Sequence, residues 1–242
     1  MSRKSRRNRP NPERQGPQAD NASQASRRRR SIVIGAVVAV LLAVLVGTLL
    51  FKGDRSQSSP GATITNQDPL ASVHSPMLGD AGAKVHIVEF IDPACETCAQ
   101  FFPLVKQLMA ENPNRIRLSI RHVAFHDGSD YVVKLLEASR KQDKYLPTLE
   151  ALLASQAHWA PHHTVQPDLV LQAIAGVGLN IEQLLVDMNS PEVAQRMEQD
   201  RNDAVTLKVT ATPEYFVNGR PMPSFGLQQL QTLVSEALQS AY

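Results

Sequence analysis

The chain has 242 residues, 25 Lys and Arg against 23 Asp and Glu for a formal net charge of +2, 43% apolar side chains and two cysteines. Two cysteines are too few for a four-cysteine zinc site, and three positions apart they close too short a loop to act as a structural staple. The near-neutral total hides two opposite segments: residues 1–30 hold ten basic residues against Glu13 and Asp20, and the remainder holds 15 basic against 21 acidic.

The basic arm of residues 1–30 ends at Ile32–Phe51, twenty residues without a charge, long enough to cross ~30 Å of hydrocarbon as a helix. That adjacency favours a transmembrane anchor over residues 31–51 and sets nucleic-acid binding by the arm aside. Arg27–Arg30 abut one end of the apolar run, while Lys52 and Arg55, with Asp54 between them, meet the other. The positive-inside rule then places the N-terminus in the cytoplasm and everything after Phe51 outside. Phe51-Lys52-Gly53-Asp54 is a poor cleavage site, so the anchor is expected to stay attached. Ser31, Gly35, Ala39, Ala43 and Gly47 form a small-residue ridge that would let two such helices approach as a homodimer. Residues 52–70 are polar and rich in turn formers, the composition of a flexible tether, and residues 71–242 have the length of one domain.

Within that domain Lys84–Ile91 is β-branched and aromatic without clean alternation, as in a strand buried on both faces. Glu89 interrupts it six residues before Cys95, where a buried acid of raised pKa could relay a proton. Ala99–Glu111 predicts a helix with Phe102, Val105, Leu108 and Met109 on one stripe and a kink at Pro103. Arg115–Phe125 alternates basic and apolar residues as a strand with one wetter face. Residues 127–207 carry helical signals throughout: Leu146, Leu149, Leu152 and Leu153 at helical spacing, Pro167 opening a helix that Gly176 and Gly178 close, Asn180 capping the next, and Ser190-Pro191 starting another. Val209–Val217 predicts a strand leading into an Asn218-Gly219 hairpin turn, with Pro213 at its start or edge. Leu227, Leu230, Leu233, Val234 and Leu238 end the chain with an amphipathic helix.

Cys95 and Cys98 sit where the first strand passes into the first helix. The unpaired amides and positive end of a helix start stabilise the thiolate of the first sulfur, and the second, one turn in, can close the ring. Only the thiolate attacks a disulfide, so this is the minimum machinery for thiol–disulfide exchange. A zinc reading would have to borrow His158, His162 and His163, better read as a polar loop around Trp159 and Pro161.

These residues resemble the DsbA-like branch of the thioredoxin fold. The likeness spans about residues 72–240 and is carried by Ser75-Pro76-Met77-Leu78-Gly79, Val88-Glu89-Phe90, Cys95-x-x-Cys98, Pro103, Val209-Thr210-Ala211-Thr212-Pro213 and Asn218-Gly219. It implies an α/β thioredoxin-like fold with a helical insertion over about 127–207, here preceded by one transmembrane helix. It also implies that Cys95 is the nucleophile, Cys98 the resolving thiol, Glu89 the buried acid beneath them and Pro213 a cis-proline. The backbone of Thr212 and Ala211 would then pair with an extended substrate peptide. Neither metal nor cofactor is implied beyond a redox-active Cys95–Cys98 disulfide. Glu96-Thr97 replaces the Pro-His dipeptide of the strongly oxidising namesake; an ionised Glu96 beside Cys95 would disfavour its thiolate and make this chain the weaker oxidant.

The expected function is a single-pass thiol–disulfide oxidoreductase of the bacterial inner membrane, with its catalytic domain periplasmic and acting on exported proteins. Net oxidation is favoured, with a quinone-linked membrane partner to restore the disulfide. A reductase or isomerase would instead draw on a transmembrane electron donor. The reading from a different class is a non-catalytic metal- or partner-binding module.

Overall fold

The computed structural model describes residues 69–70 and 72–242. The expected basic arm, the anchor over 31–51 and nearly all of the tether over 52–70 lie outside these residues. Among the described residues no helix is long and apolar enough to cross a membrane.

Five strands form one sheet in the order β1-β3-β2-β4-β5, with β1 Met77–Gly79, β2 Val85–Ile91, β3 Ile116–His122, β4 Glu214–Val217 and β5 Arg220–Pro221. β2 runs parallel to β3 and antiparallel to β4, so both of its edges are paired. Its side chains alternate between two cores: Val85, Ile87 and Ile91 face the larger one, Val88 and Phe90 the smaller. Burial on both faces is why its sequence shows no polar alternation, and fully burying residues such as Ile87 and Ile91 contributes about 2 kcal/mol each.

Helix α1, Glu96–Glu111, follows β2 and buries Cys98, Phe102, Val105 and Leu108. It begins three residues before the predicted start, so both cysteines belong to its N-terminal end. Exposed Pro103 lies within it; the helix continues past the one amide the proline removes. β3 is shorter than Arg115–Phe125 because the chain turns away after His122, and the amides of Phe125 and His126 leave the ladder for the Asp92 carboxylate.

The insertion between β3 and β4 is helical, as its sequence predicts. It comprises α2 Ser129–Ser139, α3 Tyr145–Ala154, α4 Gln156–Trp159, α5 Pro167–Ala173, α6 Ile181–Asp187 and α7 Pro191–Leu207. Pro167 and Pro191 occupy first-turn positions, where a missing amide costs nothing. Asn180 Oδ1 accepts from the Gln183 amide at 3.0 Å and Ser190 Oγ from the Val193 amide at 3.4 Å. A 3₁₀ turn at Ala175–Val177 and Gly178 at φ 82° separate α5 from α6.

The predicted strand over 209–217 is realised only as β4. The Val209 amide still bonds the Ala204 carbonyl at the end of α7, and Pro213 has no amide to give. Asn218 and Gly219, at φ 47° and 81°, make the two-residue turn into β5, and Asn218 Oδ1 accepts from the His86 amide at 2.8 Å. Helix α8, Leu227–Ala241, buries Leu230, Leu233 and Val234 against the larger core.

Edge strand β1 has no counterpart among the strands read from sequence. Its Gly79, at φ 87°, lies so close to β3 that a Cβ there would stand 2.6 Å from the Ile116 carbonyl oxygen.

Two buried polar clusters tie the insertion to β3. Arg121 Nε donates to Asp200 at 2.6 Å and its other guanidinium nitrogens reach Asp203 and the Pro69 carbonyl. Asp200 also bonds His74 at 2.7 Å and the His122 amide at 2.9 Å. The His122 ring is hydrogen-bonded to the Tyr145 hydroxyl at 3.0 Å and to Glu137 at 3.2 Å, and Glu137 pairs with Arg140 at 2.8 Å and Arg196 at 3.4 Å.

Candidate active site

The end of β2, the start of α1 and the loop before β4 meet at the two cysteines. Cys95 is the N-cap of α1, with an extended backbone at φ −82°, ψ 120° and no side-chain cap. The first-turn amides therefore have no side-chain oxygen to bond and are left to the Cys95 sulfur. Both thiols are free; Cys95 is 5% exposed and Cys98 fully buried. Pro213 follows a cis peptide bond after Thr212, and as a thiol Cys95 donates to the Thr212 carbonyl at 3.3 Å.

The two sulfurs are driven apart electrostatically. A hydrogen bond from the Cys98 thiol, outweighing burial and joined by Thr212 and the Cys98 and Thr97 amides, lowers the Cys95 thiol to about 5. Burial, then the hydrogen bond and charge of Cys95 and the charge of Glu89, pushes the Cys98 thiol far above its ordinary value. At neutral pH the pair therefore presents one thiolate, at the sulfur nearer solvent, and one protonated thiol.

Glu89 lies in β2 opposite Tyr215 of β4, and both are fully buried. The Tyr215 hydroxyl donates to Oε1 at 2.9 Å, while Oε2 has no hydrogen-bond partner. Burial raises this carboxyl to about 8 against the opposing effect of the tyrosine.

The structure thus brings together Cys95, Cys98, Glu89, Thr212 and Pro213. Ala211 is exposed beside them, and Thr97 contributes its amide rather than its side chain. Glu96 is exposed in the first turn of α1, where solvent screens its carboxylate; burial, Cys98, Thr212 and Thr97 are what act on Cys95. Among the described residues no group of three or more His, Cys, Asp or Glu side chains is arranged to hold a metal ion.

Several residues that shape the site were not among those singled out by sequence. Asp92, fully buried, accepts from the amides of Ala94 at 2.9 Å, Phe125 at 2.7 Å and His126 at 3.0 Å, from the His126 ring at 2.8 Å and from Ser129. Its own carbonyl accepts from the Cys95 amide at 3.0 Å. One carboxylate thereby fixes the approach to the cysteines, the exit of β3 and the start of α2. The Ala94 carbonyl accepts from Gln156 Nε2 at 2.6 Å and meets His163 Nδ1 at 3.3 Å, and the His163 ring stacks on His126. Of the three clustered histidines, His158 and His162 are exposed as the polar-loop reading has them, whereas His163 reaches the site. The one signal in the sequence was position: Asp92 stands three residues before Cys95.

The thioredoxin family model matches residues 71–236. A solved thioredoxin-like oxidoreductase from Silicibacter pomeroyi is 32% identical and superposes with a TM-score of 0.63 over 72% of this chain and 98% of its own. A probable disulfide bond formation protein D of Bacillus anthracis is 22% identical, over 78% of this chain and 88% of that protein. A Na(+)/H(+) antiporter NhaA of Herminiimonas arsenicoxydans is 27% identical over 86% of this chain, which spans only 33% of the antiporter's length.

Proposed function

We infer that this chain, which belongs to the thioredoxin family in its DsbA-like group of thiol–disulfide oxidoreductases, is a membrane-tethered oxidase that makes disulfides in exported proteins outside the cytoplasm. The direction is supported by the placement of Cys95 at the N-cap of α1, where the Cys98 thiol, Thr212 and the first-turn amides favour its thiolate, with Cys98 buried behind it. Stabilising the thiolate stabilises the reduced pair, so the Cys95–Cys98 disulfide is an oxidising one. The tether rests on the uncharged run Ile32–Phe51 and the orientation on Arg27–Arg30.

In this reading a substrate thiolate attacks Cys95 Sγ, the S–S bond to Cys98 breaks, and Cys98 leaves and takes up a proton that neutral Glu89 supplies through water. The second substrate thiolate attacks its partner's sulfur in the mixed disulfide, and Cys95 leaves as the stabilised thiolate. The Thr212 carbonyl, no longer engaged by a Cys95 thiol, accepts an amide of the extended substrate, with Ala211 beside it. A quinone-linked membrane oxidase then takes the two electrons.

The test traps the cysteines in intact cells by acid quenching and alkylation. An oxidase rests as the disulfide, whereas a dithiol resting state assigns the chain to reduction or isomerisation. In the same cells Cys98→Ala is expected to accumulate mixed disulfides with exported proteins through Cys95, since attack proceeds and resolution does not. Adducts through residue 98 in Cys95→Ala, with none in Cys98→Ala, would reverse the two roles.

A further inference from the structure

A neutral carboxyl has two nearly equivalent oxygens and a soft terminal torsion, so by itself it does not decide which oxygen carries its proton or where that proton points. In this protein the two oxygens of Glu89 are not equivalent. Tyr215, directly opposite in the β2–β4 pairing, gives the single proton of its hydroxyl to Oε1 at 2.9 Å, and Oε2 is buried without a hydrogen bond. The tyrosine is itself immobilised, fully buried with its ring 6.4 Å from that of Phe101 on α1. With the phenol proton spent on Oε1, the proton of neutral Glu89 belongs on Oε2.

We propose that Tyr215 is a positioning residue that divides the work of the Glu89 carboxyl, holding Oε1 as an acceptor and leaving Oε2, which makes no direct hydrogen bond to Cys98, as the atom that exchanges a proton with that sulfur through one intervening water. The proposal rests on the reading of Glu89 as the proton carrier for Cys98. As the Cys95–Cys98 bond breaks and the bond from Cys95 to the substrate sulfur forms, the electron pair released on Cys98 takes a proton from the intervening water, which takes the Oε2 proton in turn. The resulting carboxylate keeps its hydrogen bond from Tyr215. In the dithiol, water returns a proton to most of the Glu89 carboxylates, whose value is about 8; on reoxidation the ionised fraction takes the Cys98 proton on Oε2 as that sulfur attacks the Cys95 mixed disulfide, so the cycle closes with Glu89 neutral. The titratable groups that the carboxylate's charge reaches are Tyr215 on β4, Cys98 on α1 and Tyr145 on α3, whose hydroxyl is already bonded to His122. No cationic side chain is paired with Glu89 among the described residues. The hydroxyl also opposes the burial that holds Glu89 at about 8.

The experiment measures opening of the Cys95–Cys98 disulfide by reduced glutathione in the full chain, by stopped flow from pH 5 to 10. Wild type, Tyr215→Phe, Glu89→Gln and the double variant are compared, with carbon-13 titration of Glu89 in the first two. Tyr215→Phe keeps the ring and removes only the hydroxyl. It is expected to slow opening several-fold and to move the Glu89 midpoint upward by roughly one unit, a tenfold change in the ionised-to-neutral ratio. The thiolate absorbance of Cys95 should not move. In the Glu89→Gln background the same substitution should do nothing further. An unshifted carbon-13 midpoint, or equal slowing in both backgrounds, overturns the proposal, because the tyrosine would then act through packing alone. If Glu89→Gln leaves the pH profile untouched, it is the proton-carrier reading that fails.

Discussion

Glu89 and Glu137 are both buried glutamates in one domain, yet their carboxyls stand on opposite sides of the ordinary value. Burial pushes each upward. At Glu89 only a neutral hydroxyl answers it, and the group rests at about 8. At Glu137 burial is outweighed by the hydrogen bond and charge of His122 and by Arg140, and the group falls to about 2. Desolvation is common to both sites; what separates them is whether a cation shares the cavity. A carboxyl buried without one is held ready to exchange a proton, while one buried with a cation serves as a fixed anion.

The comparison can be broken by measuring stability against pH. Glu89 has its folded value above its unfolded one, so wild-type stability falls as pH rises from about 4.5 through about 8. The stability of Glu89→Gln relative to wild type should therefore grow over that window by on the order of 5 kcal/mol, read from urea midpoints at pH 4, 6 and 8.5. Glu137 has the opposite sign: its contribution is complete above about 4.5 and is lost as pH falls toward about 2. Glu137→Gln should cost about 3 kcal/mol at pH 7, with the loss shrinking in thermal melts at pH 3. Parallel pH dependences in the two variants would show that burial alone governs both sites. Glu96, a carboxylate in solvent, sharpens the contrast from the other side. Glu96→His should lower the Cys95 thiol by less than about one unit in a thiolate-absorbance titration, and a larger shift would mean that Glu96 turns onto the sulfur.

What could be read from sequence was what depends on near neighbours. The helix start at the cysteines, the Asn180 and Ser190 caps, the prolines opening α5 and α7 and the Asn218-Gly219 turn are each decided within about four residues. The two-faced burial of β2 was legible because it removes alternation from seven successive residues. Edge strand β1, three residues long, is too short to show a period. The partner of Glu89 was hidden because Tyr215 lies 126 positions away and meets it only through the β2–β4 register. Asp92 reads locally as a turn former before Pro93; its bonds to Phe125, His126 and Ser129 exist only once β3 has delivered those residues alongside it. The exposure of Glu96 beside the nearly buried Cys95 was equally hidden, because adjacency in sequence does not determine it.

The contacts of Gln156 and His163 with the Ala94 carbonyl bear on whether this domain can be trimmed. A chain cut back by excising residues 127–207 would retain the sheet and both cysteines and so keep the outline of a smaller relative. It would also leave that carbonyl without either donor, strip Asp92 of the Ser129 hydroxyl, and abandon the Arg121 guanidinium without Asp200 and Asp203. The cut would also uncover apolar residues of both cores that pack against the insertion, at about 2 kcal/mol for each one returned to water, and a few of these match the entire stability margin of a domain this size. The helices are therefore not cargo on an autonomous core: the molecule has no smaller version of itself inside it, and any shortened variant would need a redesigned β3 before it could fold.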